Sequence, residues 1–332
     1  MPEPKFEVNG SVLSGETADI YFVRTVDILR REGINPVVTM EVFASRPGIL
    51  CGMHEVKALL EAALPAKSRE VWAMAEGEPF QRKEVVLRIT APYLSFGVYE
   101  TAYLGMLGQT SAWAMAAREC VEAAMGIPVV SFGARHVHPL MAGYLDYAAV
   151  VGGCTGCSSI VGAKLAGVPA AGTMPHALIL LMGDTVKASL AFDRHISREV
   201  PRVALVDTFK DEAEEAVRVA QALGERLSWV RLDTPRERGG VTPELVREVR
   251  HRLDLAGFKK VKIFTSGGFT VDRITQFIAE KAPVDGFGVG SYISGAPPID
   301  FTADIHEVDG QPIAKRGRLP GITASPRLKR II

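Results

Sequence analysis

A histidine and two aspartates stand just behind short runs of β-branched or small residues: His176 after Ala170-Ala171-Gly172-Thr173, Asp207 after Val203-Ala204-Leu205-Val206, and Asp233 after Trp229-Val230-Arg231-Leu232. Two glycine turns, Ser266-Gly267-Gly268 and Gly288-Val289-Gly290-Ser291, follow two further runs. Main-chain N–H groups in such turns can wrap a phosphate, and two of them one strand apart match the phosphate site that barrels build behind their last strands. Carboxylates on neighbouring strands suit a ribose diol or a Mg²⁺ carried by a pyrophosphate, because that ion takes hard oxygen ligands. Capping of the next helix is the commoner duty of a strand-end aspartate, and it stays open for Asp207 and Asp233. His176 alone would read as a structural histidine; its place at a strand end is what raises it. Phe132-Gly133-Ala134-Arg135-His136-Val137-His138 closes the first run and Gly153-Cys154-Thr155-Gly156 the second, so all seven runs end in polar, charged or glycine-rich residues.

The elements that must position these residues follow from periodicity. From Gly126 onward a short strand-like run, a turn and a helical segment alternate; the helices include 211–223, 242–255 and 271–281. The remaining runs are 128–132, 149–152, 261–264 and 286–289. This alternation predicts a parallel sheet, open and doubly wound or closed into a barrel, over residues 116–295. Before that the pattern is α+β: a helix over 16–32, strands over 37–43 and 85–89, and a helix again over 97–120. Residues 1–115 are therefore expected to form a smaller N-terminal α+β domain, completed by the tail 296–332.

Composition excludes several classes. Thirty-eight basic residues balance 38 acidic ones, which argues against a broad nucleic-acid or membrane face. The opening Met1-Pro2-Glu3-Pro4-Lys5 lacks the apolar core of a secretory signal. Residues 148–182 hold only Lys164 and His176 as basic side chains, but Gly, Pro and Ser break every apolar run short of the roughly 18 residues of a span. Four cysteines are too few for a disulfide scaffold, and Cys154-Thr155-Gly156-Cys157 has no second pair to complete a structural zinc site. A cytoplasmic protein is the expectation.

In order along the chain, Phe132-Gly133-Ala134-Arg135, Gly172-Thr173-Met174-Pro175-His176-Ala177, Leu205-Val206-Asp207-Thr208, Arg231-Leu232-Asp233-Thr234, Ser266-Gly267-Gly268 and Phe287-Gly288-Val289-Gly290 resemble the motifs of the nicotinate phosphoribosyltransferase family, the archaeal and bacterial type closely. Thr17-Ala18-Asp19-Ile20-Tyr21 resembles the family's N-terminal Thr-Asp-x-Tyr element. The resemblance implies an irregular α/β barrel of about seven strands beside the smaller domain, and transfer of phosphoribosyl from 5-phosphoribosyl-1-pyrophosphate (PRPP) to nicotinate with Mg²⁺. It implies sites shared between subunits of a homodimer or hexamer. Tyr21 of one subunit would stack on nicotinate opposite Phe132, with Arg135 pairing a carboxylate or phosphate and His138 and Thr155 also at the substrate. Arg231 and Asp233 would hold ribose and pyrophosphate, Asp207 would assist, and Ser266, Gly267, Gly268, Gly288, Gly290 and Ser291 would bind the 5′-phosphate. His176 matches the histidine that ATP-dependent members phosphorylate, which makes ATP a co-substrate.

Relatives that accept nicotinamide carry an acid where this chain has Cys154-Thr155, which favours an acid substrate, nicotinate or a related pyridine acid such as quinolinate. Close archaeal relatives have a Cys-rich zinc-binding extension beyond the position of Ile332, so no zinc is expected. Thr234-Pro235-Arg236-Glu237-Arg238 departs from the Ser-Gly-Asp common in the family. Two rivals remain: a metal-dependent barrel hydrolase, suggested by His136-Val137-His138, and a non-catalytic phosphate-binding protein.

Overall fold

The computed structural model describes residues 4–332; Met1-Pro2-Glu3, which open the stretch unlike a secretory leader, lie outside them. The chain divides into two compact units, one containing residues up to Met115, Leu165–Gly167 and Ala296–Ile332, the other Ala116–Lys164 and Val168–Gly295.

The first unit is built on a six-stranded antiparallel sheet in the order Gln311–Pro312, Phe301–Val308, Val37–Ala44, Val85–Pro92, Glu70–Ala73, Lys329–Arg330. Successive side chains of a strand face opposite ways. Val38, Met40, Val42 and Ala44 accordingly enter an apolar core with Leu60, Leu87 and Tyr103, while Glu41 points elsewhere and is buried against Arg88 at 2.7 Å. The tail contributes a full strand, Phe301–Val308, with Ala303 opposite Val42. Its alternation of Phe301, Ala303 and Ile305 with polar residues fits a sheet with one apolar face.

The second unit is a curled parallel sheet flanked by helices. Its strands are β1 (Val129–Ser131), β2 (Gly156–Cys157), β3 (Arg202–Leu205), β4 (Leu227–Leu232), β5 (Lys262–Thr265) and β6 (Gly286–Val289), ordered β2-β1-β6-β5-β4-β3 with every neighbouring pair parallel. The helices that matter for the site are α1 (Ala142–Val151), α2 (His176–Met182), α3 (Thr185–His195), α4 (Glu212–Leu223), α5 (Pro243–Leu255) and α6 (Val271–Ala279).

The expectation of seven strands is corrected to six. Ala170–Thr173 supplies only an isolated bridge from Ala170 to Cys157. Pro169 and Pro175 flank this stretch and Gly172 interrupts it, and a residue without an N–H cannot extend a ladder. The expected strand at 149–152 is instead the last turn of α1. Gly143, Leu145, Tyr147, Ala148 and Ala149 are all buried, and an apolar run buried on most sides looks alike in strand and helix. Gly153, at φ +114°, ends the run, and β2 begins three residues later. All four cysteines are buried and free. Among the described residues no helix is long and apolar enough to cross a membrane.

Candidate active site

Most of the residues of the site are delivered by strand ends of the second unit, whereas His176 opens helix α2. Arg231 lies within β4 and Asp233 follows it; Asp207 follows β3, Ser266-Gly267-Gly268 follows β5, and Gly290 and Ser291 follow β6. Phe132 follows β1, its N–H donating to the Val289 carbonyl at 2.7 Å. Behind it the buried Asp146 accepts from Ser131 Oγ at 2.9 Å and from the Ser159 N–H at 2.7 Å, which pins the end of β1.

The capping alternative fails for both aspartates. Helix α4 is capped by Asp211, whose carboxylate accepts from the Ala213 and Glu214 N–H groups, and α5 is capped by Thr242. Asp207 is buried, and among the described residues neither of its carboxylate oxygens has a hydrogen-bond partner. Removing a carboxylate from water without partners disfavours its charge. Burial, and secondarily the neighbouring Asp233, push Asp207 up to about 6, against an opposing pull from His176.

Three ionisable side chains, His176, Asp233 and Arg231, meet around it. His176 Nε2 lies 3.5 Å from Asp207 Oδ2 and 3.7 Å from Asp233 Oδ2, and its Nδ1 lies 3.1 Å from Thr208 Oγ1. Arg231 places Nη2 3.3 Å from Asp233 Oδ2, donates from Nε to Ser266 Oγ at 2.8 Å and from Nη1 to Thr173 Oγ1 at 3.2 Å. Its guanidinium carbon also sits 5.0 Å from the centre of the Phe132 ring. Ser266 Oγ in turn donates to Asp233 Oδ1 at 2.7 Å, so Asp233 is held from both sides.

Phe132, Arg135, Arg231, Asp233 and both glycine turns line one cavity of about 340 Å³. That is room for a small phosphorylated ligand. His176 joins this group through Asp233, and Asp207 through His176. The other expected residues lie elsewhere. His138 is exposed and accepts from the Leu140 N–H at 3.3 Å, capping the turn Pro139–Met141; His136 lines the cavity instead. Thr155 precedes β2 rather than following a strand, and it borders a second, apolar cavity of about 330 Å³. Tyr21 belongs to the first unit, on the helix Ile20–Arg31, and is 57% exposed. Residues that the sequence reading did not assign, Thr234, Pro235 and Arg236, also line the site; the signal was the unusual loop after Asp233. Among the described residues no group of three or more His, Cys, Asp or Glu side chains is placed to hold a metal, so His136 and His138 do not belong to such a cluster.

Glycine is required at β6 by close approach. A Cβ on Gly288 would lie 2.6 Å from Phe132 Cε2 and 2.9 Å from Phe264 Cε1. Gly288→Ala is therefore expected to push the Phe132 ring from its place, costing about 1–3 kcal/mol of stability by overpacking. The observable is a lower unfolding midpoint in denaturant with an unchanged slope.

A parallel sheet whose strand ends collect an Arg–Asp pair and two glycine turns around one cavity is an arrangement able to cradle a phosphorylated ligand. The chain belongs to the quinolinate phosphoribosyl transferase family: the family's N-terminal domain matches residues 19–111 and its C-terminal domain residues 113–304. It is 33% identical over 247 residues to nicotinate phosphoribosyltransferase pncB2 of Mycobacterium tuberculosis, covering 73% of this chain and 52% of that protein. It is 31% identical over 228 residues to nicotinate phosphoribosyltransferase of Bacillus subtilis, covering 66% of this chain and 44% of the other. The chain thus spans about half the length of these curated relatives. Among solved structures, nicotinate-nucleotide pyrophosphorylase from Pyrococcus furiosus is 46% identical with a TM-score of 0.87, over 97% of this chain and 82% of that one. Human nicotinic acid phosphoribosyltransferase, 19% identical with a TM-score of 0.74 over 92% of this chain and 77% of that one, shares the fold.

Proposed function

We propose that the protein transfers the 5-phosphoribosyl group of PRPP to nicotinate, forming nicotinate mononucleotide and pyrophosphate for NAD salvage in the cytoplasm. The observation that carries this reading is the single cavity shared by an aromatic wall (Phe132), an Arg–Asp pair (Arg231, Asp233) and two phosphate-type glycine turns. A pyridine ring can lie against Phe132 while a sugar phosphate reaches the turns.

The chemistry follows from that placement. As pyrophosphate leaves the anomeric carbon, the ribose takes on oxocarbenium character and the pyridine nitrogen enters from the opposite face. The protein's task is to hold the two reactants in line and to stabilise the leaving charge, so no enzyme nucleophile at carbon is required. Arg231 stands at the junction of ring wall and Asp233, where it can steady both reactants. The oxygen donors of Asp207 and Asp233 fit a Mg²⁺ ion brought in with pyrophosphate, since Asp207 has two buried carboxylate oxygens without hydrogen-bond partners among the described residues and this ion uses one or two carboxylates beside phosphate oxygens. When bound, Mg²⁺ would neutralise charge on the leaving group. Tyr21 of a second subunit would close the ring site in a homodimer or hexamer, as the family resemblance implies.

Incubating the chain with PRPP, Mg²⁺ and labelled nicotinate tests the reading; absence of labelled mononucleotide would overturn it. The family's name supports quinolinate as a second reading. Quinolinate is a dianion, and among the described residues the guanidinium that lies over the Phe132 ring, Arg231, is already shared with Asp233. Release of labelled CO₂ from quinolinate carboxyl-labelled at C2, in place of nicotinate conversion, would favour that reading.

ATP would act through His176, phosphorylated on the imidazole. His176→Ala is expected to keep basal transfer and to lose the rise in rate on adding ATP. Initial rates with and without ATP measure this, and full ATP stimulation in the variant would remove the role from His176.

A further inference from the structure

Arg273, in the first turn of α6, donates from Nη1 to the carbonyls of Gly267 at 2.7 Å and Gly268 at 3.0 Å, and from Nη2 to the Val241 carbonyl at 2.7 Å. Its guanidinium carbon lies 4.5 Å from the centre of the Phe269 ring, itself packed on Phe277 and Phe287. In a trans peptide the C=O and the N–H of one unit point in opposite directions. Capturing the Gly267 and Gly268 carbonyls therefore turns the Gly268 and Phe269 N–H groups away from Arg273. Among the described residues no main-chain carbonyl accepts from either N–H. Gly267 and Gly268 sit at φ +97° and +70°, values that side-chain-bearing residues adopt only with strain.

Charge around this turn is unbalanced. Arg231 has Asp233 and Arg238 has Glu212 as acid partners. Among the described residues no ion pair within 4.0 Å joins Arg273 or Arg236 to a carboxylate, and the acceptors of Arg273 are neutral carbonyls. Arg273 is half-buried, and burial together with the neighbouring Arg236 holds its pKa below the ordinary arginine value. Arg236 lines the cavity with Nη2 3.1 Å from the place a Cβ on Gly268 would take. A half-buried guanidinium without counter-charge is costly, and Arg236, exposed in its loop, adds a second positive charge beside it. Their summed charge matches a phosphomonoester, which carries about −1.5 to −2 near neutral pH.

We propose that Arg236 and Arg273 form a two-sided cation clamp on the Ser266-Gly267-Gly268 turn. Arg273 is the positioning residue that aims the turn's N–H groups into the cavity, and Arg236 is a direct ligand of the phosphoryl group they hold. This assignment rests on the PRPP reading of the cavity and deepens it by naming which cations select the sugar's phosphate.

The test compares the full chain with Arg236→Gln, Arg273→Lys and Arg273→Met. KM for PRPP and for nicotinate are measured separately, as is binding of ribose 5-phosphate by calorimetry without nicotinate. Arg236→Gln should raise KM for PRPP and Kd for ribose 5-phosphate about tenfold, the loss of one charge-assisted contact, and leave KM for nicotinate within about twofold. Arg273→Met should raise both phosphate-linked constants further, and Arg273→Lys should fall between, since an ammonium keeps the charge without the rigid fork that reaches three carbonyls. Unchanged ribose 5-phosphate binding in Arg236→Gln, or equal changes in both KM values in the Arg273 variants, would overturn the clamp. Should Arg273→Met fail to fold, Arg273→Lys and Arg236→Gln decide the matter. A wild-type chain that binds ribose 5-phosphate but does not convert nicotinate would sink the functional reading alone, leaving the clamp to be judged on Kd.

Discussion

Arg231→Ala is expected to lower kcat/KM for nicotinate transfer by about 10²–10³-fold. The guanidinium is 17% exposed and ties Ser266, Thr173 and Asp233 together beneath the Phe132 ring. Its removal frees Ser266 Oγ and leaves the Asp233 carboxylate facing His176 with no arginine beside it. Truncating one partner of a hydrogen-bonded charge pair costs about 2–5 kcal/mol, and each 1.4 kcal/mol is about tenfold. Arg231→Lys should recover only part of the loss, because an ammonium cannot address Ser266, Thr173 and Asp233 in one plane. Steady-state kinetics in both substrates, with a thermal melt to confirm folding, provide the check. A folded alanine variant within about threefold of wild type would show that Arg231 serves the scaffold and not the reaction.

The second unit's architecture was legible wherever a strand run and its helix carried distinct periods. The runs ending at Asp207, Asp233 and Gly267 became β3, β4 and β5, and α4 and α5 start behind Asp211 and Thr242, residue types that accept from orphan N–H groups. Legibility ended where composition is neutral between structures. Ala149-Val150-Val151 is apolar and β-branched, yet it continues a helix begun at Ala142, a decision made by burial on several sides. Ala170–Thr173 has strand-like small residues, but proline on either side leaves it a single bridge. In the tail, the Gly, Pro and basic residues after Asp309 masked the alternating strand Phe301–Val308 in front of them.

Site residues were legible when they sat at strand ends, because the end of a strand fixes where a side chain emerges. Phe132, Arg231, Asp233 and the two glycine turns meet on that ground. The sequence reading placed His138 at the substrate, but His136 ends one 3₁₀ turn and lines the cavity while His138 caps the next, and the order of two such turns is not written in the sequence. The pairing of Arg236 with Arg273 was invisible for another reason. One lies in a loop and the other on a helix, and their relation to Gly267 and Gly268 exists only in three dimensions. Asp211 and Thr242 supplied what sequence could not: with the caps accounted for, Asp207 and Asp233 have no structural duty at the helices.

Asp207→Asn is expected to stabilise the ligand-free protein above pH 6 while removing most of its turnover. The folded protein holds the Asp207 proton up to about 6, against an ordinary value of 3.8, because burial outweighs the attraction of His176. The unfolded chain gives up that proton at lower pH, so stability falls as pH rises from 3.8 toward 6, and the loss is complete above the folded value. Two units correspond to about 3 kcal/mol as an upper figure. Asparagine has nearly the same shape and no charge to desolvate, so in a chelator-treated sample at pH 8 the variant should unfold about 1–3 kcal/mol later than wild type, with the gap closing toward pH 4. Its kcat should fall about 10²-fold or more, because one of the two carboxylates proposed to hold the Mg²⁺ of the leaving pyrophosphate is gone. A buried charge that lowers stability and carries turnover is the signature of a residue kept for its ligand. Lower stability of Asp207→Asn at pH 8 would mean instead that the pairing with His176 at 3.5 Å outweighs burial, and that Asp207 is held for the fold.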